Sequence, residues 1–312
     1  MGFADRNKDG FITRKEFLDF MMGHIAPDDE QFIAQMTVEE KKKTFSAYRK
    51  LKQIALKENF RNEDKIGEYV NVMKNDGYFP IFIPLVSIIE IGFFIYYCVK
   101  LKEISLTGPS PINSIFIFSP SKHYEVWRFL TYMLVHAGIE HIAANILFQV
   151  VIGTLLEIVH GPIRIAIIYI LGVLAGSLGS AVVDGDVPLC GASAGVYALI
   201  TAYLSNVIMN WSEMNWFVRL IRLIFLSVFC SVDVFTAVYR RYFVPQVSRV
   251  SISAHLFGAL TGLLVGIVIL RNIKKKLHEK WLFWFALCLY VILDFALIGI
   301  FFFEKFFLDG DQ

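Results

Sequence analysis

Long apolar stretches dominate the chain from about residue 80 onward, whereas the first eighty residues are mostly polar. Each stretch is close to the roughly 20 residues that an α-helix needs to cross the hydrocarbon core of a bilayer. The pattern predicts a membrane domain over residues 80–305. Its seven membrane-spanning helices are predicted at about residues 81–100, 128–150, 162–183, 191–209, 216–235, 252–270 and 281–303.

The composition is typical of a polytopic membrane protein and not of a soluble globular one. Of the 312 residues, 56% are hydrophobic and 19% are charged, and the mean hydropathy is +0.55. The formal net charge of +2 argues against a nucleic-acid partner. We therefore expect a lipid bilayer as the main surroundings, with the first apolar span acting as the insertion signal.

The cysteines give no sign of a disulfide framework or a metal site. They are single, widely spaced and placed in or beside apolar runs, at Cys98, Cys190, Cys230 and Cys288. No pair has the short spacing of a metal-binding motif. We interpret them as buried thiols.

The basic residues predict an orientation for the spans. The connections at 160–164 and 210–219 and the basic run at 271–280 fall on the same side as the Lys- and Arg-bearing N-terminal region. Since cytosolic loops are enriched in Lys and Arg, we expect a cytosolic N-terminus and a lumenal or exterior mouth for the fourth span. Arg240 and Arg241 lie on the opposite side and do not fit this pattern.

The start of the chain matches the pattern of an EF-hand calcium loop. Oxygen ligands at alternating positions, a glycine for the sharp turn and a closing glutamate define such a loop. The calcium ligands would be Asp5, Asn7, Asp9, Phe11 through its carbonyl, and Glu16. Only four residues precede the loop and no second hand follows, so residues 1–24 are either a calcium site or the remnant of one. Residues 25–79 are predicted to form a cytosolic helical region, which includes a capping box at 37–40.

The long connection at 102–127 is rich in proline, serine and aromatic residues. It either lies partly in the membrane interface or carries an ordinary aromatic belt, and the segment alone does not decide between these two. Directly after it, the second span carries His141 and Asn145, which are four residues apart and therefore share a helix face. Polar side chains at that depth are candidates for function.

A zinc site at His136 and His141 is disfavoured by the sequence. Their five-residue spacing places them off one helix face, and no carboxylate or thiol is well placed as a third ligand. The other acids within the apolar spans, Glu90, Glu157 and Asp294, are interpreted as hydrogen-bonding partners between helices.

The fourth and sixth spans carry the remaining candidates. Ser193 stands among small residues at the start of the fourth span, with Tyr197 one turn further on. The sixth span carries His255, followed on the same face by Gly258 and Gly262. Faces of small residues let helix backbones approach closely, and Gly195, Ala198 and Ala202 give the fourth span a matching face. We expect this packing to bring the imidazole to the serine hydroxyl, which is the requirement for an activated nucleophile.

These residues resemble those of the rhomboid intramembrane serine proteases, over about residues 75–305. The resemblance is carried by Trp127-Arg128, His136, His141, Asn145, the run Gly191-Ala192-Ser193-Ala194-Gly195, Tyr197, Ala254-His255, Gly258 and Gly262. The seven spans and the EF-hand-like loop are similar to the animal rhomboid-related branch. The resemblance implies an all-α polytopic membrane fold, with a six-helix core, one further C-terminal transmembrane helix and a small helical cytosolic N-terminal region.

The resemblance also implies roles for the site residues. Ser193 would be the nucleophile and His255 the general base and then acid, without a third acid. His141, Asn145 and the backbone N–H of Ser193 would hold the oxyanion, supported by Gly191, and Tyr197 would orient His255. No cofactor is implied for catalysis, and Glu157 matches a position tied to packing of the outer loop.

The implied substrates are single-span membrane proteins, such as growth-factor precursors, cut near the outer side of their helix to release ectodomains. A Golgi or plasma-membrane location is implied in the same way. A catalytically silent client-binding or trafficking protein is the alternative. Family pseudoproteases lose the serine, lose the histidine or carry a proline beside the serine. This chain has none of these defects. A transporter or channel is disfavoured because no internal repeat is visible.

Overall fold

Helices form most of the part of the chain that the structure describes. The computed structural model describes residues 78–184, 187–212, 214–243, 251–271 and 277–303. The helices in these ranges are α1 (Phe82–Leu101), the short α2 (Arg128–Thr131), α3 (Ile139–His160), α4 (Pro162–Val183), α5 (Ser193–Met209), α6 (Trp216–Phe243), α7 (Ile252–Ile269) and α8 (Leu277–Phe303). The predicted calcium loop and the N-terminal helical region lie outside the described residues.

The described chain has an all-α polytopic architecture, as the sequence predicts. Five of its helices are long and apolar enough to cross a membrane, namely α1, α3, α4, α7 and the part of α8 from Glu279 to Phe303. Helix α5 is apolar but shorter, with 17 residues. Helix α6 continues to Phe243, past the end predicted for the fifth span at 235.

The bounds predicted for the second span, 128–150, are wrong, since the helix covers Ile139–His160. Apolar residues at its start form α2 and a 3-10 turn, and the chain then bends at Gly138, whose φ is +86°. Helix α3 begins only at Ile139 and continues through a π-helical turn at Gln149–Gly153 to His160. Hydropathy cannot separate apolar residues that contact protein from those that contact lipid, and the polar residues inside α3 obscured its end.

Glu157 of α3 caps the N-terminus of α1. Its carboxylate accepts hydrogen bonds from the backbone N–H groups of Ile81, Phe82 and Ile83, at 2.6, 2.6 and 2.9 Å. These are N–H groups that a helix leaves without an acceptor. Glu157 lies near the end of α3, whereas His141 and the outer loop lie at its start. The role expected for Glu157 in packing that loop is therefore wrong.

Glu90 joins three helices, as its interpretation as a helix–helix hydrogen-bonding residue predicts. Its carboxyl group accepts from Tyr169 of α4 at 2.8 Å and from Gln149 of α3 at 3.1 Å, and all three side chains are buried. Asp294 differs, because the side chain that acts on its carboxyl group is Tyr290, one turn earlier on the same helix.

The long connection at 102–127 packs against the helices. Phe118 is fully buried and forms a two-residue antiparallel bridge with Leu189. The buried Arg128 donates to the carbonyl oxygens of Ser114 and Ile117, at 2.9 and 2.7 Å. Contacts with the protein, and not only with lipid, therefore fix this connection. The cysteine interpretation needs correction too: all four thiols are free, but Cys98, Cys190 and Cys230 are only partly buried and Cys288 is exposed.

Helices α5 and α7 pack with their backbones in close contact. A Cβ atom built on Gly258 would lie 2.4 Å from the carbonyl oxygen of Ala194, and one on Gly262 would lie 2.1 Å from that of Ala198. The hydroxyl of Thr201 donates across the same interface to the carbonyl of Ala259, at 2.7 Å. Gly195 departs from the prediction, because it faces the ring of Tyr169 in α4 and not α7.

We expect Gly262→Ala to destabilise the protein by about 3 kcal/mol, since the added methyl meets backbone that cannot rotate away. The matched control is Gly92→Ala in α1, where a Cβ meets nothing within 4 Å. Thermal unfolding of both variants in the same detergent measures the difference. Equal midpoints for the two variants would contradict the packing argument.

Candidate active site

A serine and a histidine meet where two apolar helices begin. Ser193 is the first residue of α5, and His255 lies in the first turn of α7. The Oγ of Ser193 and the Nε2 of His255 are 2.8 Å apart, which is hydrogen-bonding distance. Both side chains are only partly buried, so a reactant can approach them. The close packing of α5 on α7 brings the two residues together from 62 positions apart in the sequence.

Tyr197 lies beneath the histidine. Its ring stacks on that of His255, with centroids 4.7 Å apart and an angle of 20° between the planes. The tyrosine is buried, and it is one helical turn below Ser193 on α5. This stacking limits rotation of the imidazole.

Asp184 fixes the start of α7 in a way that the sequence did not indicate. Ser251 caps α7 by accepting from the N–H of Ala254, at 3.2 Å. The carboxylate of Asp184, just after α4, accepts hydrogen bonds from the hydroxyls of Ser251 and Ser253, at 3.1 and 2.6 Å. An acid at the end of α4 thus anchors the helix that carries His255. A serine directly before an apolar helix was the only available signal.

Gly191 places the ring of His141 beside the serine. The φ angle of Gly191 is +106°, which residues other than glycine rarely adopt. A Cβ there would also lie 2.4 Å from the Nε2 of His141. The N–H of Gly191 donates to the carbonyl of Tyr132, at 3.0 Å. The glycine therefore serves both the turn and the approach of the imidazole, two residues before Ser193.

Asn145 is buried on the same helix as His141. Its Nδ2 donates to the carbonyl oxygen of His141, at 2.8 Å. One amide hydrogen suffices for this bond, and the amide group has two. The structure thus brings His141 to Gly191 and joins Asn145 to the backbone of His141.

His136 holds the backbone immediately before the serine. The N–H of Ala192 donates to its Nε2 at 3.3 Å, and its ring contacts that of His141 edge-on, with centroids 5.2 Å apart. Burial lowers the pKa of His136 well below its usual 6.5, so the ring is neutral and can accept this bond. The sequence showed His136 as part of the resemblance but gave no indication of this contact.

The backbone N–H of Ser193 lies at the N-terminus of α5. As the first residue of α5, Ser193 has an N–H without an intrahelical acceptor, whereas His136 occupies that of Ala192. A donor beside the nucleophile is what an oxyanion requires. Across the described ranges, no group of three or more His, Cys, Asp and Glu side chains could hold a metal ion. Burial also raises the pKa of the neighbouring Cys190 thiol to about 11, so this thiol is not a nucleophile at neutral pH.

Similar proteins include relatives named rhomboid-related and one that is named inactive. Residues 123–272 match the Rhomboid domain family. The chain is 33% identical to human rhomboid-related protein 3, over 96% of this chain and 76% of that protein. It is 41% identical to mouse rhomboid-related protein 2, over 68% of this chain and 71% of the relative. It is also 40% identical to inactive rhomboid-related protein 2 of Caenorhabditis elegans, over 67% of this chain and 60% of that protein.

The family accounts for the helical membrane architecture of the described chain. Similarity to a relative that covers nearly the whole chain, together with the domain match over the site, establishes the assignment. The chain therefore belongs to the rhomboid family of integral membrane proteins.

Proposed function

We propose that this chain is an intramembrane serine endopeptidase that cuts single-span membrane proteins. The observation that carries the proposal is the 2.8 Å contact between the Oγ of Ser193 and the Nε2 of His255. A serine hydroxyl is a weak nucleophile unless a base takes its proton, and an imidazole nitrogen at this distance is such a base. No cofactor is needed for this chemistry.

The reaction follows from these two side chains. His255 Nε2 accepts the proton of Ser193 as Oγ attacks the carbonyl carbon of the scissile peptide bond. The resulting imidazolium gives that proton to the leaving amine, and an acyl-enzyme remains. A water molecule, deprotonated by the same nitrogen, then attacks the ester, and the imidazolium returns the proton to the Oγ of Ser193 as the acid product leaves. The stacked Tyr197 holds the imidazole in place through both steps.

The tetrahedral intermediate carries a negative charge that needs donors. The backbone N–H of Ser193 and the side chains of His141 and Asn145 are the candidates, and Gly191 gives His141 its room beside the serine. A backbone N–H, one imidazole and one amide in a site partly shielded from water stabilise this charge more than they would in bulk water.

We expect Asn145→Ala to lower kcat by a hundredfold to a thousandfold, on the order of the loss of one oxyanion donor. Its KM should change little, because the donor acts mainly in the transition state. Initial rates over a range of substrate concentrations measure both constants. Asn206→Ala, far along α5, is the control. A loss that appears only in KM would contradict the oxyanion role.

A substrate helix must unwind to reach this site. Backbone groups in a bilayer are satisfied within the helix, and a protease needs an extended peptide. Single-span proteins with a helix that unwinds near the outer side of the membrane fit this requirement, and their cleavage would release an ectodomain. The proposal includes a cytosolic N-terminus, a Golgi or plasma-membrane location, and substrates that resemble growth-factor precursors.

A catalytically silent, client-binding protein is the second candidate. The observation that favours it is the 40% identity to a relative named as inactive. The two candidates share the fold and the recognition of membrane helices, but only the protease requires the contact between Ser193 and His255.

The test is release of a single-span reporter's ectodomain from cells that express the full chain. A second arm measures labelling of the purified protein by a fluorophosphonate, which reacts with an activated serine whether or not the substrate is known. Release together with labelling at Ser193 supports the protease. Binding of the reporter without labelling or release, in an assay where a known rhomboid protease is active, would favour the client-binding protein.

A further inference from the structure

Several charged and polar groups meet at the end of the helix bundle opposite Ser193. His160 ends α3, Arg164 lies in the first turn of α4, and Arg271 directly follows α7. Tyr78, just before α1, packs against Gly161, so that a Cβ there would lie 3.2 Å from the tyrosine ring. None of these residues takes part in the reaction proposed above.

The ring of His160 has a buried donor without an acceptor. Its Nδ1 accepts the backbone N–H of Arg271 at 3.0 Å, so the neutral ring carries its proton on Nε2. The side chain is 1% exposed, and within the described ranges Nε2 has no hydrogen-bond partner. A buried polar group of this kind is costly unless a partner satisfies it.

Two arginines near this histidine have no carboxylate partner among the residues that the structure describes. Arg164 donates to the carbonyl oxygen of His160 at 3.1 Å. The guanidinium of Arg271 lies over the ring of Tyr78, 4.9 Å from its centroid, and donates to the tyrosine hydroxyl. Both guanidinium groups act electrostatically on the His160 ring. Neither forms an ion pair with a residue in the described part of the chain, so two cations lie near the buried N–H donor of His160 without an anionic partner there.

The location of these groups in the membrane indicates which anion they would bind. Helices α1, α3, α4 and α7 are each long enough to cross a bilayer, so their ends lie where phospholipid phosphates lie. A guanidinium offers a planar fork of donors that matches phosphate oxygens, and basic pockets between transmembrane helices suit anionic head groups. We propose that Arg164 and Arg271, beside His160, bind the phosphate of an anionic phospholipid on the membrane face opposite Ser193.

The test uses the purified full chain in a neutral detergent. Phosphatidylglycerol, phosphatidylcholine or inorganic phosphate is added, and native mass spectrometry counts bound lipid while thermal unfolding records stabilisation. We expect phosphatidylglycerol to bind and to raise the unfolding midpoint more than phosphatidylcholine does. Arg164→Gln and Arg271→Gln should each weaken its binding by about tenfold, since each removes one charge-assisted contact.

Lys280→Gln is the matched control. Lys280 is exposed near the start of α8, and its replacement by glutamine also removes one positive charge. Arg164→Lys and Arg271→Lys keep the charge without the planar fork, and they give a reading if a glutamine variant fails to fold. We expect them to bind phosphatidylglycerol more weakly than the unchanged protein. Equal binding of both lipids, stabilisation by inorganic phosphate as large as that by phosphatidylglycerol, or an equal effect of Lys280→Gln would each overturn the lipid site. None of these outcomes depends on proteolysis.

Discussion

Ser193→Ala is expected to lower kcat by on the order of 10⁵-fold or more, which leaves no detectable cleavage of a single-span substrate. The alanine keeps the backbone N–H that begins α5 but removes the oxygen that lies 2.8 Å from His255. Without it, no acyl-enzyme can form, and a water molecule would have to replace the nucleophile. The measurement is ectodomain release at matched expression, with fluorophosphonate labelling of the same samples.

His255→Ala should cause a loss of similar size, and the double variant should be no worse than either single variant. Residues that act as one unit in catalysis give non-additive losses, because each single change already removes the step that both perform. Ser121→Ala is the matched control for serine, since Ser121 is exposed in the outer connection. If Ser193→Ala retained activity within tenfold of the unchanged protein, Ser193 would not be the nucleophile.

Gly191→Ala is expected to lower kcat by about a hundredfold to a thousandfold, comparable to the loss of an oxyanion donor. An alanine at a φ of +106° is strained, and its methyl would lie 2.4 Å from the Nε2 of His141. Either the loop or the imidazole must move, and both lie beside Ser193. We also expect a loss of about 1–3 kcal/mol in stability from the strained backbone.

Gly92→Ala separates these effects from the general consequences of adding a methyl group, because a Cβ at Gly92 meets nothing within 4 Å. The measurements are kcat and KM on the folded fraction, with thermal unfolding of each variant. A fall in activity that only follows the fraction of folded protein would show that Gly191 supports the fold and not the site.

Much of the candidate site could be predicted from local sequence patterns. Each of three helices carries its own local pattern. These are a serine between small residues, a histidine followed by glycines on the same helix face, and a histidine and an asparagine one turn apart. The contacts between helices were harder to predict. Gly195 packs on Tyr169 of α4, and the second span proved to start at Ile139. Hydropathy reports how apolar a segment is and not what surrounds it.

The sequence by itself determined that the chain is a helical membrane protein and which side chains form the candidate site, because apolar length and residue type are local properties. Only the tertiary structure decided the partners of the buried polar groups. It placed Glu157 on the N-terminus of α1, His136 on the N–H of Ala192 and Asp184 on the start of α7. Such groups take whichever donor or acceptor the packing brings near, from 56 to 76 positions away in these cases. No local pattern contains that information, since each of these bonds forms only when separate helices pack together.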